Sequence, residues 1–172
     1  MGERRNSKQA LGTSASTTRY LQMPQAPPRL RPVFQKYDPP LYFVTFNTHH
    51  RKKILANAEV HFRFVEFAKS AEDRGIGVGR YVIMGDHIHL FVRNNSELDL
   101  SQWIRLLKRN LSGAIPSPRP HWQRGFFDRL IRRSESYSAK WAYVQQNPVR
   151  ARFVKSAEAW PWQGEILPLQ AL

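Results

Sequence analysis

The chain has 172 residues, 41% of them hydrophobic and 12% aromatic, which fits one folded domain with room for a tail. It contains no cysteine, so disulfides and thiolate metal sites are excluded and a reducing cytoplasm is the default location. Lys and Arg number 27 against 13 Asp and Glu, a net charge of +14 that attracts polyanions, nucleic acid foremost.

No apolar run approaches the roughly 20 residues of a membrane-spanning helix. The opening Met1-Gly2-Glu3-Arg4-Arg5-Asn6 leads into no hydrophobic segment, so a secretory signal is not expected either. Residues 1–36 are rich in Ser, Thr and Gln and are interrupted by Pro24, Pro27, Pro28 and Pro32. They read as a disordered or loosely attached basic arm. A folded domain over 37–165 and a short tail over 166–172 complete the expected organisation.

Leu41-Tyr42-Phe43-Val44-Thr45-Phe46-Asn47-Thr48 reads as a strand, and its apolar residues on both faces suit a central position in a sheet. His49-His50-Arg51-Lys52-Lys53 follows as a basic loop. If it is extended, its adjacent histidines point to opposite faces and meet phosphate or solvent rather than sharing a ligand. Asn57 can cap a helix running to about Asp73 and closed by Gly75, with Val60, Phe64, Phe67, Ala68 and Ala71 as its apolar stripe.

Ile76 to Met84 reads as a second strand. Gly85-Asp86 is a tight turn, with Asp86 a turn residue rather than a base, and His87 to Val92 is the returning strand. Side chains alternate along a strand, so His87 and His89 share one face, an arrangement suited to one metal ion; half-buried ordinary histidines would give the same triplet. A second helix spans about Leu100 to Ser112, with Trp103, Leu106, Leu107 and Leu111 on one side and Arg105, Lys108 and Arg109 on the other. Those three cations suit either a solvated face or a rim that meets phosphates.

The Pro-rich loop from Ala114 to Pro120 leads into an extended, aromatic and Arg-bearing segment from His121 to Ile131. Arg124, Arg129, Arg132 and Arg133 join the candidate nucleic-acid contacts. Ser134 can cap a third helix to about Gln146, stopped by Pro148, with Tyr137, Trp141 and Val144 inward and Tyr143 and Asn147 sharing another face. Phe153-Val154 and Trp160-Pro161-Trp162 suggest a hydrophobic clasp. The order strand, helix, strand, strand, helix, extended segment, helix suits a ferredoxin-like α+β layer, an antiparallel sheet with helices packed on one face.

His87-Ile88-His89 on a strand, followed by the late run Trp141-Ala142-Tyr143-Val144-Gln145-Gln146-Asn147-Pro148-Val149-Arg150-Ala151, resembles the HUH single-tyrosine transposases. More narrowly, Trp122-Gln123, Phe126-Phe127-Asp128 and Trp160-Pro161-Trp162 resemble the REP-associated, IS200-like members. The likeness spans about Tyr42 to Trp162 and departs at Gly85, where many relatives carry proline; that bears on turn shape alone. It implies an HUH nuclease domain that cuts and rejoins single-stranded or hairpin DNA, as a monomer or homodimer, with no membrane partner.

The resemblance assigns the nucleophile to Tyr143 and metal ligation to His87 and His89, with Asn147 the matching candidate for a third ligand. The implied cofactor is Mg²⁺ or Mn²⁺. A hairpin-binding protein without cleavage, or a metal phosphodiesterase using water, are the competing functions.

Overall fold

Strand β1, Leu41–Asn47, is built from β-branched and aromatic residues, and Val44 and Phe46 are fully buried. The structure, a computed structural model, describes residues 39–94, 99–132 and 134–169, the side chains of 134–136 excepted. The expected arm over 1–36, Arg133 and residues 170–172 lie outside the described residues.

Helix α1, Ala58–Lys69, starts where expected: the Asn57 side chain accepts a hydrogen bond from the Val60 N–H at 3.0 Å. The helical path then tightens into a 3-10 turn over Glu72–Arg74 and ends at Gly75, whose φ of 72° explains the glycine. Strands β2, Ile76–Ile83, and β3, His87–Asn94, form the expected hairpin; the Met84 N–H bonds the His87 carbonyl at 2.8 Å across its end. Helix α2, Leu100–Leu111, is capped by Asp99. It buries Ile104 in place of Leu106, which is only half-buried.

Strand β4, Phe127–Ile131, pairs with β1, and a short β5, Gln163–Glu165, pairs with β2. Among the described residues the sheet is antiparallel and five-stranded, in the order β4-β1-β3-β2-β5. Helix α3, Ser134–Val144, precedes a single helical turn α4, Asn147–Arg150.

The antiparallel α+β architecture expected from the sequence is present, but the expectation that the helices pack on one face is corrected: they divide between both faces. Tyr42, Val44, Phe46, Ile88, Leu90 and Val92 pack with α1 and α2 in the larger core. Leu41, Phe43, Val82 and Phe91 point the other way and meet Tyr137 and Val144 of α3. The reason lies in β1 and β3: both carry apolar residues on the second face, and exposing those to water costs roughly 25 cal/mol per Å². Alternation also puts His87 and His89 on the α3 face.

Two local expectations are corrected. Pro148 does not simply stop the third helix; α3 ends at Val144 and Pro148 lies in the first turn of α4, where a missing N–H leaves no bond unmade. The 49–51 loop is not extended. It is a 3-10 turn with φ of 53° at His50 and 56° at Arg51, so the two histidine rings meet at 3.9 Å between centroids instead of pointing apart.

The clasp is present and is partly a strand. The Trp160 indole N–H donates to the Ile83 carbonyl at 3.0 Å, and Phe153 stacks on Trp160. Residues 166–169 continue along β2, with Ile166 and Leu167 N–H groups bonded to the Gly79 and Val78 carbonyls. No helix among the described residues is long and apolar enough to cross a membrane.

Candidate functional site

Register fixes the histidines before any side chain is considered. His87 lies opposite Asn47 and His89 opposite Thr45, at the hairpin end of the central strand β3. Their ring centroids are 4.7 Å apart. His89 also stacks on Phe43, at 5.5 Å and 20° between planes.

Each ring is held through its Nδ1 atom. The Asp86 carboxylate bonds Nδ1 of His87 at 2.6 Å, and Thr45 Oγ1 bonds Nδ1 of His89 at 2.7 Å. Both contacts leave Nε2 as the ring atom presented to a ligand, the arrangement by which carboxylates and hydroxyls orient metal-binding imidazoles. Burial lowers the pKa of both. His89 is pushed down to about 3, mainly by desolvation and then by the neighbouring His87, Arg51, Lys140 and Arg150 charges. For His87 desolvation again dominates, and the Asp86 hydrogen bond opposes it. Neutral imidazoles are the ligand form, so the donor set suits a divalent cation.

Among the described residues no third His, Cys, Asp or Glu joins this pair in a metal-holding group. Asn147, the third ligand that the family resemblance implies, lies outside that His/Cys/Asp/Glu set. It is the first residue of α4, four positions beyond Tyr143, and is half-buried. Tyr143 is exposed, at 62% of its possible surface, while Val144 beside it is buried in the second core. Arg150 ties the two together: its Nη2 donates to the Tyr143 carbonyl at 2.8 Å and to Asn147 Oδ1, and its guanidinium lies 4.1 Å from the Tyr143 ring centroid.

Three cations around the histidines were not singled out by the sequence reading. Arg51 leaves its left-handed turn to bond Asp86 Oδ2 at 2.9 Å and Asn47 Oδ1, with Nη2 3.4 Å from His87 Nδ1. Backbone of that kind is uncommon outside glycine and is found where a side chain must be aimed. Lys140 sits over the Phe43 ring at 5.3 Å, and both Lys140 and Arg150 act electrostatically on His89. Each is one cation among 27, and only the fold distinguishes it.

The predicted nucleic-acid contacts divide into groups. Arg105, Arg109, Arg124 and the additional Arg119 line a groove of about 680 Å³ between α2 and the 119–126 loop. Lys108 lies in the same groove but is a strut: its ammonium donates to the Gln123 and Gly125 carbonyls at 3.1 and 2.6 Å and sits over the Phe46 and Trp122 rings. Arg129 is on β4 opposite Phe43, so it projects from the histidine face, and Arg132 is exposed just past that strand. Phe127, 58% exposed, lies in the same cross-strand row as Thr45 and His89.

The groove does not contain the histidines but adjoins them around the end of β1. Thr48 bridges to Trp122, and Asn47, opposite His87, donates to Gln123 Oε1 at 3.4 Å.

A strand-borne imidazole pair on the same face of an antiparallel sheet as a tyrosine-bearing helix defines a class. A family model described as Transposase IS200 like matches residues 40–147, and the chain belongs to that family of DNA-cleaving transesterases. Within it, the chain is similar to a REP-associated tyrosine transposase of Escherichia coli strain K12, at 25% identity over 122 residues, 70% of this chain and 73% of the relative. Its fold matches a solved REP-associated tyrosine transposase bound to a REP hairpin, with a TM-score of 0.61 and 21% identity over 80% of this chain and 94% of that one.

Proposed function

We propose that the chain is a divalent-metal-dependent endonuclease and strand transferase acting on single-stranded hairpin DNA, through a covalent phosphotyrosine at Tyr143. The observation that carries this reading is the placement of an exposed tyrosine on the helix that packs against the same sheet face as two neutral, oriented imidazoles. His87 and His89 would hold Mg²⁺ or Mn²⁺, with Asn147 as a third ligand. When bound, the cation supplies positive charge at a nonbridging phosphate oxygen.

The remaining work falls to the chain. Asp86 and Thr45 hold the imidazoles in one orientation, and burial disfavours their protonation, most strongly at His89. Arg51, Lys140 and Arg150 surround the place where a phosphodiester would lie and offset its charge. The Tyr143 phenolic oxygen bonds to phosphorus as the bond to the 3′ oxygen breaks. The phenolic proton passes to solvent, and the departing strand takes up a proton to end in a 3′ hydroxyl. One phosphoester replaces another, so the strand can be rejoined without an external energy source. The groove beside α2 and the cations of β4 take the flanking phosphates, and Phe127 offers a face on which a base can stack.

The test is incubation of the protein with a single-stranded DNA hairpin carrying a flanking tail, with and without Mn²⁺. A protein–DNA adduct is expected with Mn²⁺, and neither with chelator nor in Tyr143→Phe. Undiminished cleavage by Tyr143→Phe rejects the nucleophile. Cut DNA without an adduct indicates water as the attacking group, and tight hairpin binding with no cutting under any divalent cation indicates a binding protein.

A further inference from the structure

Under the proposed function Asn147 would meet the metal through its carboxamide oxygen, and that oxygen accepts a hydrogen bond from Arg150. A guanidinium does not lose its proton at any ordinary pH. A divalent cation ligated at the same oxygen would face this fixed positive charge at close range, and the two occupants oppose each other. We propose that Arg150 is a positioning residue that withholds Asn147 from the metal until DNA arrives. A phosphate draws the guanidinium away and so completes the metal site.

The geometry supports a movable group. Arg150 is exposed, and its other ties are one carbonyl, at 2.8 Å, and the face of the exposed Tyr143 ring. A phosphate oxygen pair offers the planar fork a stronger, charge-assisted partner than a neutral amide and carbonyl do. The guanidinium already contributes to the positive field at His89, so a phosphate approaching the imidazoles meets it. Its release would free the carboxamide oxygen. The third ligand would then become available only on substrate, beside a tyrosine that is already exposed.

The inference rests on the reading of Asn147 as a ligand, and the experiment separates the two. Mn²⁺ affinity is measured by the electron paramagnetic resonance of free Mn²⁺, in a Tyr143→Phe background that keeps the ring but prevents cutting, with and without hairpin DNA. With Arg150 present, DNA should tighten Mn²⁺ binding by about fivefold or more, and by linkage Mn²⁺ should tighten DNA binding equally. Arg150→Ala should bind Mn²⁺ more tightly than its parent when DNA is absent, and should lose most of the gain from DNA. Arg150→Lys, which keeps the charge without the fork, should fall between.

If Arg150→Ala binds Mn²⁺ no better without DNA, while adding Asn147→Ala still weakens it, the withholding role is overturned and the ligand stands. If Asn147→Ala has no effect in the Arg150→Ala background, the ligand assignment fails and the inference with it. Far-UV circular dichroism of each variant establishes that the comparison is between folded proteins.

Discussion

At the scale of single residues, the metal-holding role proposed for the histidine pair combines two demands that pull against each other. An imidazole must be dry enough to stay neutral, yet open enough on one nitrogen to take a ligand. Asp86 and Thr45 resolve this by occupying Nδ1 from the protein side. The same burial has a consequence for stability. A histidine that titrates near 6.5 when unfolded and at about 3 in the folded chain binds fewer protons folded than unfolded between those values. Folding therefore weakens as pH falls below 6.5, by at most about 1.4 kcal/mol per pH unit for one such group. Urea denaturation of metal-free protein at pH 7 and pH 5 should register this loss, and His89→Gln should flatten it. An equal pH dependence in that variant would place the effect elsewhere.

The residue scale is also where sequence reading went furthest and stopped most abruptly. His87, His89 and Tyr143 were legible because a strand period of two and a motif place them. Arg51, Lys140 and Arg150 were not, because a lone cation in a basic chain carries no local pattern. Arg51 was hidden further by two left-handed residues in succession, which no composition signals.

At the scale of elements, α1 and its asparagine cap, the β2–β3 hairpin and α2 could be read from spacing and turn chemistry. The short strand Gln163-Gly164-Glu165 could not. It has no β-prone residue, and it exists because Trp160 and Trp162 anchor the chain beside β2, with the Trp162 carbonyl accepting the Ile83 N–H at 2.8 Å. The side of the sheet that α3 covers was likewise unreadable, since an apolar stripe shows that a helix packs but not on which face.

The junction between α2 and the 119–126 loop illustrates how a charged residue can be structural in a charged groove. Lys108→Met should cost about 1–2 kcal/mol in urea denaturation, because it leaves the Gln123 and Gly125 carbonyls without their donor. A variant as stable as the parent would mean that solvent replaces those bonds at no cost and that the lysine is available to DNA.

At the scale of the molecule, positive charge is distributed on a path rather than a patch. It runs from the α2 groove around the end of β1 to Arg51, and on to Lys140 and Arg150 over the histidine face. Binding of single-stranded DNA should weaken with salt, and log K against log salt should be linear. Replacing Arg105 and Arg109 together by alanine should reduce the slope by about 0.7 per lost phosphate contact. An unaltered slope, measured by fluorescence anisotropy, would put the DNA track away from α2.

Chain order adds a temporal aspect to this arrangement. The imidazoles belong to a hairpin completed by Asn94, whereas the phenol follows some fifty residues later on α3. A polypeptide still emerging from the ribosome thus acquires the proposed metal-holding strand first, and the proposed nucleophile and third ligand later. Cutting ability would arise only once nearly all of the sheet, β4 included, has been synthesised, so a partly made chain would be unable to break DNA.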